Sequence, residues 1–350
     1  KKIFKNAKKF GVKKIIIQDL KDEFIKDYVY PMIRGHAIYE GFYLLGTSIA
    51  RPLIAKNQIK VAKKFKAFAV SHGATGKGND QVRFELGYYY FEPKIKVIAP
   101  WRIWKLKSRT DLINYAKKYK IDIPKDNRGA PPFSVDDNLF HTSTEGKVLE
   151  NPKNSAPEFI FQRSVSPEKA PNKPSFVTIN FKNGDPYGIN GKKLSPSKLL
   201  EKLNQLAGNN GIGRVDLVEN RFIGIKSRGV YETPGGTLLI HAHRAMESVT
   251  LDKDTMHKKD QIMPRYAELI YNGYWYSKER FKLQKIVDLK KNKVNGSVKL
   301  KLYKGNVIIE SRQTNSSAYS MKKVSFEENK TFNKSNVERF INFHKKKLRS

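Results

Sequence analysis

Apolar residues at Ile3, Phe4, Ala7 and Phe10 have the spacing of a surface helix, and Gly11 suits its C-terminal stop. The run Val12–Ile17 that follows is short and apolar and predicts a strand, with a helical stretch from Asp22 to Tyr39 after it. The next helix is predicted over Ser48–Lys64, with Thr47 or Ser48 as N-cap and Pro52 in its first turns. Strand Ala67–Val70, a glycine-rich loop, a helix from Asn79, strand Ile95–Ala99 and helix Thr110–Tyr119 continue the alternation. Short apolar strands alternating with helices predict a parallel sheet covered on both faces, with ligands at the carboxyl ends of its strands.

Between Ile121 and Pro174 the periodicity fades, and prolines 124, 131, 132, 152, 157, 167, 171 and 174 punctuate the chain. So long a stretch reads as a functional crossover or clasp. An α+β pattern follows: strand Phe176–Phe181, a turn at Asn183-Gly184-Asp185, a short strand, and helix Ser197–Gly208. Strand Val215–Glu219 leads into a glycine-rich loop, then a long helix with Thr233 as N-cap and Pro234 at its first position. Val298–Tyr303 and Asn306–Glu310 flank Lys304-Gly305 as a hairpin, and the tail from Ser335 predicts an amphipathic basic helix. No internal repeat is visible.

The chain has 350 residues, enough for two domains with separate cores. It has no cysteine, which excludes disulfide scaffolds, cysteine-ligated zinc and thiol nucleophiles. No apolar run approaches the roughly 20 residues of a membrane-spanning helix. The start at Lys1 resembles neither a secretory signal nor a transit peptide, and the chain reads as beginning in mid-fold. The formal charge of +35 first suggests nucleic acid. Yet lysine far outnumbers arginine and is spread through every segment, so the charge reads as solvated surface and no nucleic-acid partner is expected.

The strongest local feature is the loop Ser71-His72-Gly73-Ala74-Thr75-Gly76-Lys77-Gly78-Asn79-Asp80-Gln81-Val82-Arg83. It leaves a strand and opens a helix, so backbone N–H groups and the helix dipole can hold an anion. It is not a P-loop, because Ser71 and Gly78 occupy positions that motif reserves for glycine and for serine or threonine. Asn79 and Arg83 share a helix face, so an amide and a guanidinium converge on one ligand. In Tyr43-Leu44-Leu45-Gly46-Thr47-Ser48, Ser48 serves equally well as N-cap or ligand, and Tyr43 as core or ligand. Glu219 ends an apolar strand, where a desolvated carboxylate needs a cation: either the nearby Arg221 or a substrate ammonium. His241 and His243 point to different faces of the predicted helix, which argues against a metal site. No arrangement for a covalent nucleophile stands out.

Taken together, Tyr-Leu-Leu-Gly-Thr-Ser-Ile-Ala-Arg-Pro (43–52), the loop through Phe84, and Ile-Ala-Pro-Trp-Arg (98–102) resemble the argininosuccinate synthase family. So do Leu-Glu-Asn-Pro (149–152), Val-Glu-Asn-Arg-Phe-Ile-Gly (218–224) and Lys-Ser-Arg-Gly-Val-Tyr-Glu-Thr-Pro (226–234). The resemblance runs in order from Lys1 to about Lys304 and weakens after about Ser311. It implies an α/β fold with a Rossmann-like nucleotide-binding domain of ATP-pyrophosphatase type over 1–124. A larger α+β synthetase domain over 125–332 and a C-terminal oligomerisation helix over 333–350 complete it. It also implies a cytoplasmic homotetramer of arginine biosynthesis. That enzyme condenses citrulline with aspartate through a citrullyl-adenylate, using ATP with Mg²⁺ and releasing AMP and pyrophosphate.

The resemblance places Gly73 at ATP, and Thr75, Asn79 and Asp80 at aspartate. Tyr43, Ser48, Asn79, Arg83, Ser134, Ser143, Glu219 and Tyr231 fall to citrulline, with no covalent nucleophile and no protein-held metal. The family opens with a strand and a Ser-Gly-Gly-Leu-Asp-Thr-Ser pyrophosphate loop that nothing here matches, so the sequence is expected to be incomplete at its N-terminus. The alternatives are an inactive fragment, or a basic RNA-binding derivative of the same fold.

Overall fold

A computed structural model of the chain describes residues 2–76, 78–106, 108–123, 133–324 and 334–348. The boundaries expected at 124/125 and 332/333 lie outside the described residues, as do Lys77 and prolines 124, 131 and 132.

Parallel strands need a crossover between them, and in the first unit a helix provides it. Strand β1 (Ala69–Ser71) pairs in parallel with β2 (Lys96–Ile98), and the helix Asp80–Phe91 joins the two. That helix packs on the helix Gly46–Lys64 through Ala55, Ile59, Ala62 and Tyr88, in a cluster that Val70 of β1 completes. Gly87 permits the close approach, since a Cβ there would stand 2.7 Å from that of Ala55. The glycine-rich loop therefore leaves the carboxyl end of β1, as expected.

Three local expectations are corrected. Residues 12–17 form no strand, because β1 and β2 are the only parallel pair among the described residues and nothing lies beside them; Ile17 is 65% exposed. The helical stretch begins at Lys21, passes through a π-turn at Ile25–Val29, and ends at Arg34 before Gly35. His36 takes a positive φ, which ends the helix short of Tyr39. The next helix begins at Gly46 after Leu45 in a left-handed conformation, so Thr47 and Ser48 lie within its first turn and neither is the N-cap.

The second unit holds two antiparallel sheets. In one, β3 (Ser134–Asp137), β4 (Thr142–Glu145), β8 (Arg214–Asn220) and β9 (Lys226–Glu232) lie in the order β3-β4-β9-β8. The other has the order β11-β10-β5-β6-β7, formed by β5 (Ser175–Lys182), β6 (Asp185–Ile189), β7 (Lys192–Lys193), β10 (Gly296–Tyr303) and β11 (Asn306–Gln313). The β10–β11 hairpin turns at Lys304-Gly305 as the pattern predicts. The proline-rich stretch is less irregular than expected, since it contains β3 and β4.

The glycine-rich stretch after β8 makes a tight turn over Arg221–Ile225, with Gly224 at φ +88°, and its remainder is β9. Gly229 is there for packing and not for a turn, because a Cβ would lie 2.6 Å from the Tyr231 hydroxyl. The long helix predicted after Thr233 is Pro234–Thr250, with Thr233 as N-cap and Pro234 in its first turn, and the helices Lys253–Tyr271 and Lys278–Val287 follow it. The main core joins Ile25, Ile33, Leu45 and Ile49 to Phe140, Val177, Leu199, Leu238 and Leu300. Through it the helix carrying Thr47 and Arg51 is anchored to the larger unit.

Candidate active site

The glycine-rich loop, the start of helix Gly46–Lys64 and the β3-β4-β9-β8 sheet enclose an open cavity of about 400 Å³. Tyr43, Gly73, Thr75, Asn79, Asp80, Arg83, Ser134, Ser143, Glu219 and Tyr231 all line it. Ser48 does not reach the wall: it is fully buried, and its hydroxyl has no hydrogen-bond partner among the described residues. Neighbours on a helix face different ways, and here Thr47 takes the wall position.

The loop is held by its own side chains. His72 Nδ1 accepts the Ala74 N–H (3.3 Å) and its Nε2 lies 2.9 Å from Glu85, which Arg102 also holds at 2.6 Å. Gln81 donates to the Gly76 carbonyl at 2.8 Å. A Cβ on Gly73 would meet no atom within 4 Å, so the loop presents bare backbone to open space. Asn79 lines the same cavity, and its Oδ1 is buried without a partner among the described residues.

Two charged groups dominate the far wall. Glu219, at the end of β8, accepts the hydroxyls of Tyr271 (2.7 Å) and Tyr231 (3.0 Å). Burial pushes its carboxyl above the usual range, against the downward pull of Tyr271, Arg83 and Tyr231. Arg83 donates through Nε to the Tyr271 carbonyl (2.9 Å) and through Nη1 to Asp80 (2.9 Å), leaving Nη2 with no partner among the described residues. The Tyr43 hydroxyl accepts the Thr47 N–H (3.1 Å), which leaves its own proton for the cavity, and burial raises its pKa to about 12.

Pairs that the sequence reading missed neutralise the rest. Arg51 holds Asp80 (2.7 Å) and also Asp136, so it ties the helix Gly46–Lys64 to the helix Asp80–Phe91 and to β3. Burial favours a neutral Asp80, but Arg51 and Arg83 outweigh it and keep the carboxylate below its usual pKa. Arg221 pairs with Glu145 of β4, while two tyrosine hydroxyls hold Glu219. Thr47 bonds His141 at 2.9 Å, and burial holds His141 neutral, with a pKa down to about 3. Gly46 makes this contact possible, since a Cβ there would fall 2.3 Å from the His141 ring.

Asp80, Asp136 and Glu145 are thus each engaged by arginine, and Glu219 by two tyrosine hydroxyls. Away from the cavity, His243 meets His36 (3.1 Å) beside Glu247, whose carboxylate Lys259 already pairs. His241 takes no part in that group.

What remains exposed to a ligand is a carboxylate, a guanidinium edge, several hydroxyls and a glycine loop at a helix start. That set defines a nucleotide-dependent enzyme acting on amino-acid-like zwitterions. The family described as "Arginosuccinate synthase N-terminal HUP domain" matches residues 1–122, and "Arginosuccinate synthase C-terminal domain" matches 133–350. An argininosuccinate synthase of Pelagibacter ubique is 84% identical over all 350 residues, which span 89% of its length. That of Parvibaculum lavamentivorans is 61% identical over 324 residues, 93% of this chain and 79% of its own. That of Ehrlichia chaffeensis is 57% identical over 340 residues, 97% and 86% of the two chains. The chain belongs to the argininosuccinate synthase family.

Proposed function

We propose that this cavity holds citrulline and aspartate side by side and joins them at the expense of ATP. The chain is an ATP-dependent ligase of arginine biosynthesis, forming argininosuccinate with release of AMP and pyrophosphate. The chemistry requires two steps. A ureido oxygen is a poor leaving group, so it first attacks the α-phosphorus of ATP and displaces pyrophosphate. The aspartate amine then adds to the activated carbon and expels AMP, taking the oxygen with it. No protein nucleophile is needed; the residues orient the reactants and neutralise charge.

One observation carries this reading: with the other charges paired off, Glu219 and the Nη2 edge of Arg83 are left facing a common space. They suit the ammonium and carboxylate of one α-amino acid. In this assignment Tyr43, Ser134, Ser143 and Tyr231 add hydroxyls around citrulline, and Asn79 turns its unpartnered oxygen to the substrates. Thr75 and Asn79 take the aspartate carboxylates, and the Asp80 carboxylate faces the aspartate ammonium. Ser48, behind the wall, supports Thr47. ATP lies along Gly73, and Mg²⁺ travels with its phosphates.

A cytoplasmic homotetramer, with a nucleotide-binding unit over 1–124, a synthetase unit over 125–332 and an arm over 333–350, accompanies this reading. It is supported by the exposed Phe340, Ile341 and Phe343 on the helix Lys334–Lys345. No helix among the described residues is long and apolar enough to cross a membrane. The cations lining the cavity are Arg51, Arg83 and Arg221, with no lysine among the described residues, so the excess positive charge lies elsewhere. The relatives cited all carry the enzyme's name, and nothing favours the inactive or RNA-binding alternative.

Gly73→Val tests the ATP assignment. Because its side chain would meet open space, the unfolding temperature should stay at the wild-type value, while ATP binding weakens at least tenfold and citrulline binding holds. Unchanged ATP affinity in calorimetry would remove Gly73 from the nucleotide site.

A further inference from the structure

The helix Lys253–Tyr271 ends with its last residue against both charged anchors of the cavity. The Tyr271 hydroxyl donates to Glu219 Oε1 at 2.7 Å, and its backbone carbonyl accepts Arg83 Nε at 2.9 Å. The Arg83 guanidinium lies 4.9 Å from the centre of the Tyr271 ring, which also stacks on Tyr39 at 3.7 Å with planes 5° apart. Two residues later Gly273 turns at φ +88°, where a Cβ would stand 3.0 Å from the Arg83 Cα. The side chain is fully buried and has no freedom to move independently of these partners.

We propose that Tyr271, outside the set assigned to any substrate, is the positioning residue that fixes Glu219 and Arg83 relative to one another. The separation of the ammonium acceptor from the carboxylate donor then depends on one rigid side chain, and so does selection for a free α-amino acid. The inference rests on the assignment of Glu219 and Arg83 to citrulline. Glu219 also faces Tyr231 from β9, Arg83 from helix Asp80–Phe91, Glu145 from β4, Arg221 beyond β8, and Tyr39. Among these the Tyr271 hydroxyl opposes the effect of burial most strongly.

Tyr271→Phe keeps the ring, the stack and the carbonyl, and deletes only the hydroxyl. Citrulline binding to the full chain, measured by calorimetry from acid to alkaline pH, should weaken about tenfold at neutral pH. The acid limb, along which affinity falls as Glu219 takes up a proton, should move to higher pH, since the lost donor stabilised the carboxylate. Aspartate affinity should not change. Wild-type citrulline affinity with an unmoved acid limb overturns the proposal, and so does an equal loss for both substrates with an unmoved limb. Glu219→Gln, run alongside, separates the two levels. If it loses citrulline while Tyr271→Phe behaves as wild type, this inference alone fails. If it binds citrulline normally, the assignment of Glu219 fails and this inference with it.

Discussion

Glu219→Gln should reduce citrulline affinity by about 30- to 1,000-fold at neutral pH, the consequence of removing one partner of a buried charge pair at about 2–4 kcal/mol. The substitution keeps size and shape, so the β8–β9 pairing that places residue 219 should survive. Two effects add in the same direction. The neutral amide loses the attraction for an ammonium in a desolvated wall. Its NH₂ end also meets a tyrosine hydroxyl that donates to Glu219 in the native site, where Tyr231 and Tyr271 hold one oxygen each. Aspartate and ATP should bind almost as before, because the loop that carries Gly73, Thr75 and Asn79 does not touch Glu219. A variant with wild-type citrulline affinity would show that the carboxylate faces something else.

Arg83→Lys should be damaging in a different way. Arginine makes three contacts here that an ammonium cannot reproduce together: Nε to the Tyr271 carbonyl, Nη1 to Asp80, and the face of the Tyr271 ring. A lysine keeps the charge and loses the fork. Citrulline affinity should fall at least tenfold, and the buried carbonyl left without a donor should cost about 1–3 kcal/mol of folding stability. Asp80 is left with Arg51, so aspartate binding should weaken as well, unlike in Glu219→Gln. Denaturant unfolding beside the two titrations separates the effects. A lysine variant with native stability and both affinities intact would exclude Arg83 from the site.

The candidate site was legible wherever its residues sit in contiguous motifs. The loop 71–84 carries several wall residues in one stretch, so residue type and spacing express its chemistry, whereas the segment 226–234 contributes Tyr231 alone and stands out only through the family resemblance. The alternation of short apolar strands and helices likewise exposed the parallel unit, the carboxyl-end loop and the β10–β11 hairpin. What stayed hidden depends on partners far away in the chain. Arg51 draws its meaning from Asp80 and Asp136, Tyr271 from Glu219 and Arg83, and Glu145 from Arg221; no local pattern announces any of them. Glu219 reads as a carboxylate in need of a cation, but the structure gives it tyrosine hydroxyls and pairs Arg221 with Glu145.

The strand errors have the same origin. Val12–Ile17 has strand composition without a neighbour to pair with. The segment 226–232 has turn composition, yet β8 and β4 pair with it on both sides, and Gly229 is small to admit the hydroxyl of Tyr231. Ser48 and Thr47 are adjacent in sequence, and only the register of the helix start decides which one reaches the cavity.

The central claim is that Glu219 and Arg83 hold the free ammonium and carboxylate of citrulline. It is tested most directly by calorimetric titration of the chain with L-citrulline and with Nα-acetyl-L-citrulline under identical conditions. The account predicts one-to-one binding of citrulline and none of the acetylated compound, whose amide can neither pair with Glu219 nor fit against the two tyrosines. Equal binding of the two compounds, or no binding of citrulline, would contradict it.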